Sequence, residues 1–283
     1  MDLPSAAADT IASIPADARG VRHPAAGPGA RIVSLVPSIT ELLVDLGLAP
    51  LLVGRTGFCI HPREVVRHIP KVGGTKGFDL DKLRALAPTH VIANMDENRA
   101  EEIDALAAFV PHVVVTHPNT PADNRALYRL IGALFGRHRE AAALTAELDA
   151  AEAGLAGLAG LGLSREPVLY LIWRDPWLTV ARNTYIAATL AAAGWDTVPA
   201  RLGGDTGADR YPAVDLERAV AEAARILLPS EPYHFGPGEQ AELQARFPTV
   251  PVTLVDGEMV SWYGSRAPRG LDYLGRLRRE LGQ

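Results

Sequence analysis

The strongest constraint on the fold is an alternation of β-branched runs with helical segments, which occurs in both halves of the chain. Strands are predicted at 32–36, 51–54, 90–94 and 112–115, and again at 168–172, 225–228 and 252–255. Between the two sets, residues 123–161 offer only helical spacing, which predicts one helix of about 30 residues. Parallel strands need crossover connections, and helices supply them. We therefore predict an α/β fold: two Rossmann-like lobes joined by a long rigid α-helix, with a ligand cleft between the lobes.

This pattern divides the chain into four segments. We expect a flexible N-terminal arm at 1–29, an N-terminal α/β lobe at 30–120, a connecting helix at 121–162 and a C-terminal α/β lobe at 163–283. The first residues place Asp2 and Asp9 where a signal peptide carries positive charge, and they lack an uninterrupted apolar core. The sequence therefore predicts a cytoplasmic location. No run of about 18 apolar residues predicts a membrane span.

A helix–strand unit recurs in both halves. Residues 80–92 lead into the acidic loop 95–98, and residues 216–228 lead into the similar loop 230–233. Open α/β sheets bind ligands at the carboxyl ends of their strands, so both loops are candidates for the ligand edge. A chance similarity of two helix–strand units is the alternative.

Composition excludes several classes of protein. The 28 Lys and Arg against 33 Asp and Glu give a net charge of −5, and no basic cluster of the kind that binds nucleic acid occurs. The only cysteine, Cys59, excludes an internal disulfide and a site built on several thiolates. No paired carboxylates, triad order or cofactor fingerprint is found, so the residues favour a binding protein without an intrinsic cofactor over an enzyme.

Cys59 and His61 form the one local pair that suggests chemistry. In an extended segment their side chains would point the same way, which suits a metal ion or a thiol nucleophile with an imidazole base. Further metal ligands would come from elsewhere, such as Asp96, Glu97, Glu231 or His234. The alternative is a packed Cys59 with a His61 that hydrogen-bonds a carbonyl group.

The aromatic residues cluster in loops that follow strands. Trp173 is next to Arg174, Tyr233 is next to His234, and Trp262 and Tyr263 precede Arg266. Flat rings beside charged groups suit a flat, partly polar ligand, although packing between the lobes would also explain them. For Trp262 we expect stacking on the ligand or a position that caps the cleft. For Arg266 we expect a hydrogen bond to backbone or to a carboxylate near the lobe junction.

Three stretches carry a family resemblance. Residues 31–43 (RIVSLVPSITELL), the Val72–Gly74 turn and residues 83–94 (LRALAPTHVIAN) resemble the substrate-binding proteins of cobalamin and iron–siderophore ABC importers. The segments 256–259 and 261–266 resemble the C-terminal cleft loop of the vitamin B12-binding branch. The likeness extends from about Arg31 to Leu281.

The resemblance implies a receptor for a small metal chelate, either a cobalamin-like corrinoid or a ferric siderophore, with an ABC importer permease as partner or a role as a cytosolic carrier. A direct metal-ion-binding protein and a cysteine-dependent enzyme are the alternatives. Carried over by position, the implied ligand-binding residues are Pro37, Ser38, Phe58, Cys59, His61, Gly74, Thr75, Lys76, Met95, Glu97, Asn98, Trp173, Arg174, Tyr233, His234, Trp262, Tyr263 and Arg266.

Overall fold

The computed structural model describes residues 14–158 and 163–282, and within them two parallel four-stranded sheets define two lobes. The N-terminal sheet contains β1 (Ile32–Ser34), β2 (Leu52–Arg55), β3 (His90–Asn94) and β4 (His112–Thr116), in the order β2-β1-β3-β4. The C-terminal sheet contains β5 (Glu166–Tyr170), β6 (Trp195–Thr197), β7 (Arg225–Pro229) and β8 (Val252–Val255), in the order β6-β5-β7-β8. The predicted α/β fold is confirmed.

Helices connect the strands and join the lobes. They are α1 (Pro37–Asp45), α2 (Arg63–Val66), α3 (Leu80–Ala85), α4 (Ala100–Leu106), α5 (Asn124–Leu134), α6 (His138–Ala156), α7 (Tyr185–Ala192), α8 (Leu216–Ala221), α9 (Pro237–Arg246), α10 (Gly257–Ser261) and α11 (Ala267–Leu281). In the described part of the chain, no helix is both long and apolar enough to cross a membrane.

The repeated helix–strand unit has the same place in both lobes. Asp79 caps α3 by accepting hydrogen bonds from backbone amides of its first turn, and Asp215 caps α8 in the same way. The strands that follow, β3 and β7, each occupy the third position of their sheet. Equivalent sequence units therefore produce equivalent loops at the carboxyl edge of each sheet.

The connection between the lobes is two helices, α5 and α6, rather than the single long helix that was predicted. The break falls at Gly136, whose φ of 65° is in the left-handed region that ends helices. The two helices pack closely: a Cβ at Gly132 would lie 2.7 Å from the Cβ of Ala141. The end of the predicted connecting segment, residues 159–162, lies outside the described residues.

The N-terminal segment also differs from the prediction. Residues 1–13 lie outside the described part, but the rest of the predicted flexible arm is packed on the edge of the sheet. The buried Asp17 carboxylate accepts a hydrogen bond from the Val115 amide at 3.0 Å, and the Ala18 amide donates to the Val115 carbonyl at 2.8 Å. Covering β4 in this way satisfies part of an exposed sheet edge.

The largest apolar core belongs to both lobes. It runs from Leu42 on α1 through Leu130 and Leu148 of the connecting helices to Leu271 on α11 and Trp195 on β6. Two smaller cores fill the other face of each sheet. A shared core stabilises one relative placement of the lobes, because separating them would expose its apolar surface to water.

Candidate functional site

The carboxyl ends of the strands in the two lobes face each other across a cleft. The loop after β2 meets the segment after β8, where His61 Nε2 lies 3.1 Å from Glu258 Oε1. The loop after β4 meets the loop after β6, where Arg210 donates a hydrogen bond to the Asn119 side chain. The cleft therefore has the position that the sequence predicted for a ligand site.

Carboxylates occupy the middle of the cleft. Glu97, in the loop after β3, accepts a hydrogen bond from the Tyr263 hydroxyl of the opposite lobe at 2.8 Å. Burial, with the nearby charges of Glu231 and Asp96, raises the pKa of Glu97 to about 7. Burial also raises the pKa of Glu231. The raised pKa values mean that these carboxyl groups tend to be protonated or to share a proton. Their oxygens can accept hydrogen bonds from a ligand.

Arg266 joins the lobes through buried ion pairs. Its Nε and Nη2 lie 2.8 Å from the two carboxylate oxygens of Glu41 on α1, and its Nη1 donates to Glu258. The guanidinium carbon also lies 4.3 Å from the centre of the Trp262 ring. Arg266 thus contacts carboxylates rather than open cleft space.

Trp262 is packed between elements of the two lobes. Its side chain is buried, with the residue only 8% exposed, and its Nε1 donates to Glu231 Oε1 at 2.7 Å. The His61 ring meets it edge-on, with the ring centres 5.6 Å apart. Tyr263 is similarly buried. These contacts correspond to the packing alternative, and they leave little of the Trp262 ring open for stacking.

The open aromatic surface lies elsewhere in the cleft loops. Phe58, after β2, is 63% exposed, and Trp173, after β5, is 42% exposed. Trp173 meets Tyr233 edge-to-face with ring centres 5.5 Å apart. The Phe58 ring stands over the Gly74 turn, where an added Cβ would lie 3.6 Å from it. Each lobe therefore presents a large exposed ring at the carboxyl edge of its sheet.

Several other predicted residues shape the N-terminal side of the cleft. Asn98 is buried and donates from Nδ2 to the carbonyl groups of Leu35 and Thr75, at 3.3 and 2.7 Å. These bonds hold the Gly74–Lys76 turn against the loop after β3. The remaining predicted positions in this lobe are Pro37 in the first turn of α1, the buried Ser38, the partly buried Met95 and the exposed Lys76.

Two predicted ligand-binding residues of the C-terminal lobe, Arg174 and His234, contact polar groups of the same lobe. Arg174 makes a two-pronged contact with Glu242 on α9, with both distances 2.9 Å. His234 is exposed, and its Nδ1 lies 3.2 Å from the carbonyl oxygen of Ser230. Both contacts hold the side chains against their own lobe.

Cys59 and His61 are not brought together as a metal site. The segment that contains them is irregular rather than an extended strand, and the two side chains have different partners. Cys59 is buried with its Sγ 3.1 Å from Thr56 Oγ1, whereas His61 reaches Glu258. Burial raises the pKa of the Cys59 thiol, which disfavours the reactive thiolate. Among the described residues, no group of three or more His, Cys, Asp and Glu is placed to hold a metal ion.

One end of the cleft is polar and contains a functional candidate that was not predicted from the sequence. Arg210 is almost fully buried, and its Nε lies 3.2 Å from Asp96 Oδ2 of the opposite lobe. It borders a cavity of about 430 Å3, whose polar and charged lining residues are His117, Asn119, Thr120, Arg182, Asn183 and Asp205. No periodic or motif signal marks Arg210, which lies in the loop between β6 and α8.

The fold and the cleft define a two-lobed binding protein. A family model described as periplasmic binding protein matches residues 32–250, and the chain belongs to this family. The vitamin B12-binding protein of Vibrio campbellii is 24% identical over 236 residues, which cover 79% of each chain. The vitamin B12-binding protein of Vibrio parahaemolyticus is 23% identical over 256 residues, covering 87% of this chain and 86% of the relative.

Solved structures share the fold. The periplasmic vitamin B12-binding protein of Vibrio cholerae superposes with a TM-score of 0.72 at 18% identity, over 89% of this chain and 98% of its own. The periplasmic heme-binding protein of Roseiflexus sp. RS-1 gives a TM-score of 0.74 at 23% identity, over 90% of this chain and 100% of its own.

The comparisons bear on the predicted location and on the predicted family. The predicted cytoplasmic location is wrong, because the chain belongs to a family of periplasmic binding proteins. The family resemblance drawn from residues 31–43, 72–74 and 83–94 is confirmed. Both the family and the structural neighbours are substrate-binding proteins rather than enzymes.

Proposed function

We propose that this protein binds a flat metal macrocycle, of which a cobalamin-type corrinoid fits best, and delivers it unchanged to an ABC importer permease. The observation that carries the proposal is the pair of exposed rings, Phe58 on one lobe and Trp173 on the other, at the ligand edges of the two sheets. Exposing large apolar rings to water is unfavourable unless a ligand covers them. Such rings stack on flat apolar surfaces.

The polar groups of the cleft favour a corrin over a porphyrin as ligand. A corrinoid carries neutral amide side chains whose N–H groups donate hydrogen bonds. Glu97 and Glu231 offer carboxyl oxygens for such donors, with the neighbouring Asp96 adding negative charge. The propionates of heme would bring further negative charge to a place where the pKa values of both carboxyl groups are already raised, which disfavours heme there. The names of the vitamin B12-binding relatives support the same ligand class.

Heme is the second candidate because solved neighbours include a periplasmic heme-binding protein from Pseudomonas aeruginosa, with a TM-score of 0.74 at 20% identity. In both cases the residues that we propose as ligand contacts are Phe58, Trp173 and Tyr233 as stacking surface, with the Gly74–Lys76 turn and Glu97 as polar contacts. His61, Trp262 and Arg266 are proposed to hold the lobes together beside the ligand.

Titration with hydroxocobalamin, hemin and a ferric siderophore tests the proposal, with tryptophan quenching and thermal unfolding as readouts. A ligand at 100 times its Kd should stabilise the protein by about 2.7 kcal/mol. Trp173→Ala should weaken binding by about 1–3 kcal/mol, in the range for removing an aromatic anchor. Its effect on the empty protein should be small, because the ring is already exposed.

Phe109→Ala is the matched control, since Phe109 precedes β4 and therefore lies at the opposite edge of the N-terminal sheet. It should leave ligand affinity unchanged. The proposal is wrong if none of the three ligands quenches fluorescence or raises the Tm, or if Phe109→Ala weakens binding as much as Trp173→Ala does.

A further inference from the structure

A second pocket, on the surface of the N-terminal lobe beside the cleft, is lined mainly by basic side chains. It has a volume of about 430 Å3, and Gly57, Ile60 and Val66 form its uncharged lining. The other lining residues are Arg55, His61, Arg63, Arg67 and Lys71. None of these described lining residues is acidic, although the chain as a whole has a net charge of −5.

Arg55 is the fixed element of the pocket. The residue is only 4% exposed, and its Nε and Nη1 donate to the carbonyl oxygens of Val66 and Thr56, at 2.7 and 3.0 Å. Within the described residues its Nη2 makes no hydrogen bond and no carboxylate pairs with the guanidinium. A buried cation without a counter-charge is costly, so an anion supplied from solution would be stabilised there.

The rim of the pocket is also left with excess positive charge. Arg63 and Lys71 form no ion pair with any described residue. Arg67 lies 3.4 Å from Glu64, but both side chains are largely exposed, and such surface pairs stabilise little. The charged groups of Arg63 and Lys71 are therefore available to a ligand.

We propose that this pocket binds an oxyanion, a carboxylate or a phosphate group. The guanidinium of Arg55 recognises it from within the pocket, and Arg63 and Lys71 contact it from the rim. His61 lines the pocket and also reaches Glu258 across the cleft, so a bound anion lies next to the ligand cleft. The anion is either a charged arm of the cleft ligand or a free ion. Only the first of these sources rests on the proposed function.

Titration of the full chain with inorganic phosphate, followed by 1H–15N NMR, tests the site directly. At a constant ionic strength of about 0.1 M, charges farther than about 10 Å from phosphate contribute little. We expect the backbone amide resonances of Gly57 and Ile60 to shift and to saturate as phosphate is added, with a Kd of about 1 mM or lower. The variant Arg63→Gln/Lys71→Gln should weaken binding at least about tenfold, since it removes two cations at close range.

Arg139→Gln/Arg218→Gln is the matched control, because it removes two exposed cations from other surfaces. It should leave the phosphate Kd unchanged. Arg55 itself is not substituted, since its loss would free two carbonyl groups that it holds. The proposal is overturned if the two amides do not shift, if their shifts fail to saturate, or if both double variants lose the same affinity.

Repeating the titration with saturating hemin or hydroxocobalamin identifies the source of the anion. If a macrocycle displaces phosphate, its own propionate or phosphodiester occupies the pocket. If phosphate binds equally well beside the macrocycle, the pocket takes a free anion. If no macrocycle binds at all, the proposed function fails while saturable phosphate binding still establishes the site.

Discussion

The carboxyl group of Glu97 should make the stability of the empty protein depend on pH, and Glu97→Gln should remove that dependence. The folded state raises the pKa of Glu97 from 4.5 to about 7. Between these values the folded protein binds more protons than the unfolded chain, so stability falls as pH rises from about 4.5 to about 7. At 1.36 kcal/mol per pH unit, the cost above pH 7 reaches about 3 kcal/mol.

Glutamine has the shape of the protonated carboxyl group, and its amide oxygen can accept the Tyr263 hydroxyl hydrogen bond. Glu97→Gln should therefore raise the free energy of unfolding at pH 8 by up to about 3 kcal/mol. Near pH 4.5 the two proteins should be almost equal, because the carboxyl group is then largely protonated in the folded state. Urea denaturation followed by circular dichroism at pH 4.5, 6 and 8 measures the difference.

Glu222→Gln serves as the control, because Glu222 is exposed at the end of α8. It should change stability little at any of these pH values. A Glu97→Gln protein that is destabilised equally at pH 4.5 and pH 8 would refute the reasoning. It would mean that Glu97 acts in the folded state as a charged partner rather than as a partly buried carboxyl group with a raised pKa.

Three further predictions test the contacts between and within the lobes by urea denaturation. Trp262→Ala should destabilise the empty protein by about 3–5 kcal/mol, the range for removing a buried aromatic ring. An unchanged urea midpoint would mean that the ring is not packed between the lobes. Arg266→Leu should cost up to about 3–5 kcal/mol, because it leaves the buried Glu41 with only the largely exposed Arg269 as a partner, at 3.3 Å. Adding Glu41→Gln should restore part of this loss, and no recovery would contradict the pairing. Gly270→Ala should destabilise the protein strongly, because the added Cβ would lie 2.2 Å from the Met259 carbonyl oxygen of α10. Gly154→Ala, where the added Cβ meets open space, should instead raise the free energy of unfolding by about 0.5–1 kcal/mol. Equal effects of the two substitutions would refute the close approach at Gly270.

The architecture was largely predictable because its signals are local. β-branched runs and helical spacing identify β1, β3, β5 and β7 from a few residues each, and the parallel arrangement follows from the helices between them. The short strand β6 was missed, since three residues carry no alternation. The positions of Phe58 and Trp173 at strand ends were also predictable, because the ends of parallel strands share one edge of a sheet.

The sequence by itself therefore determined the two α/β lobes, the edge of each sheet that borders the cleft and the aromatic character of that edge. The break between α5 and α6 has a local cause in Gly136, although the apolar stripe that continues across it predicted one helix. Other features depended on the tertiary structure. It alone decided that Trp262 is packed and that Arg266 pairs with Glu41, 225 positions away. It also buried Arg210 between the lobes. Hydrophobic periodicity is a local property of a chain, whereas the partner of a charged or aromatic side chain depends on which distant segments meet it in space.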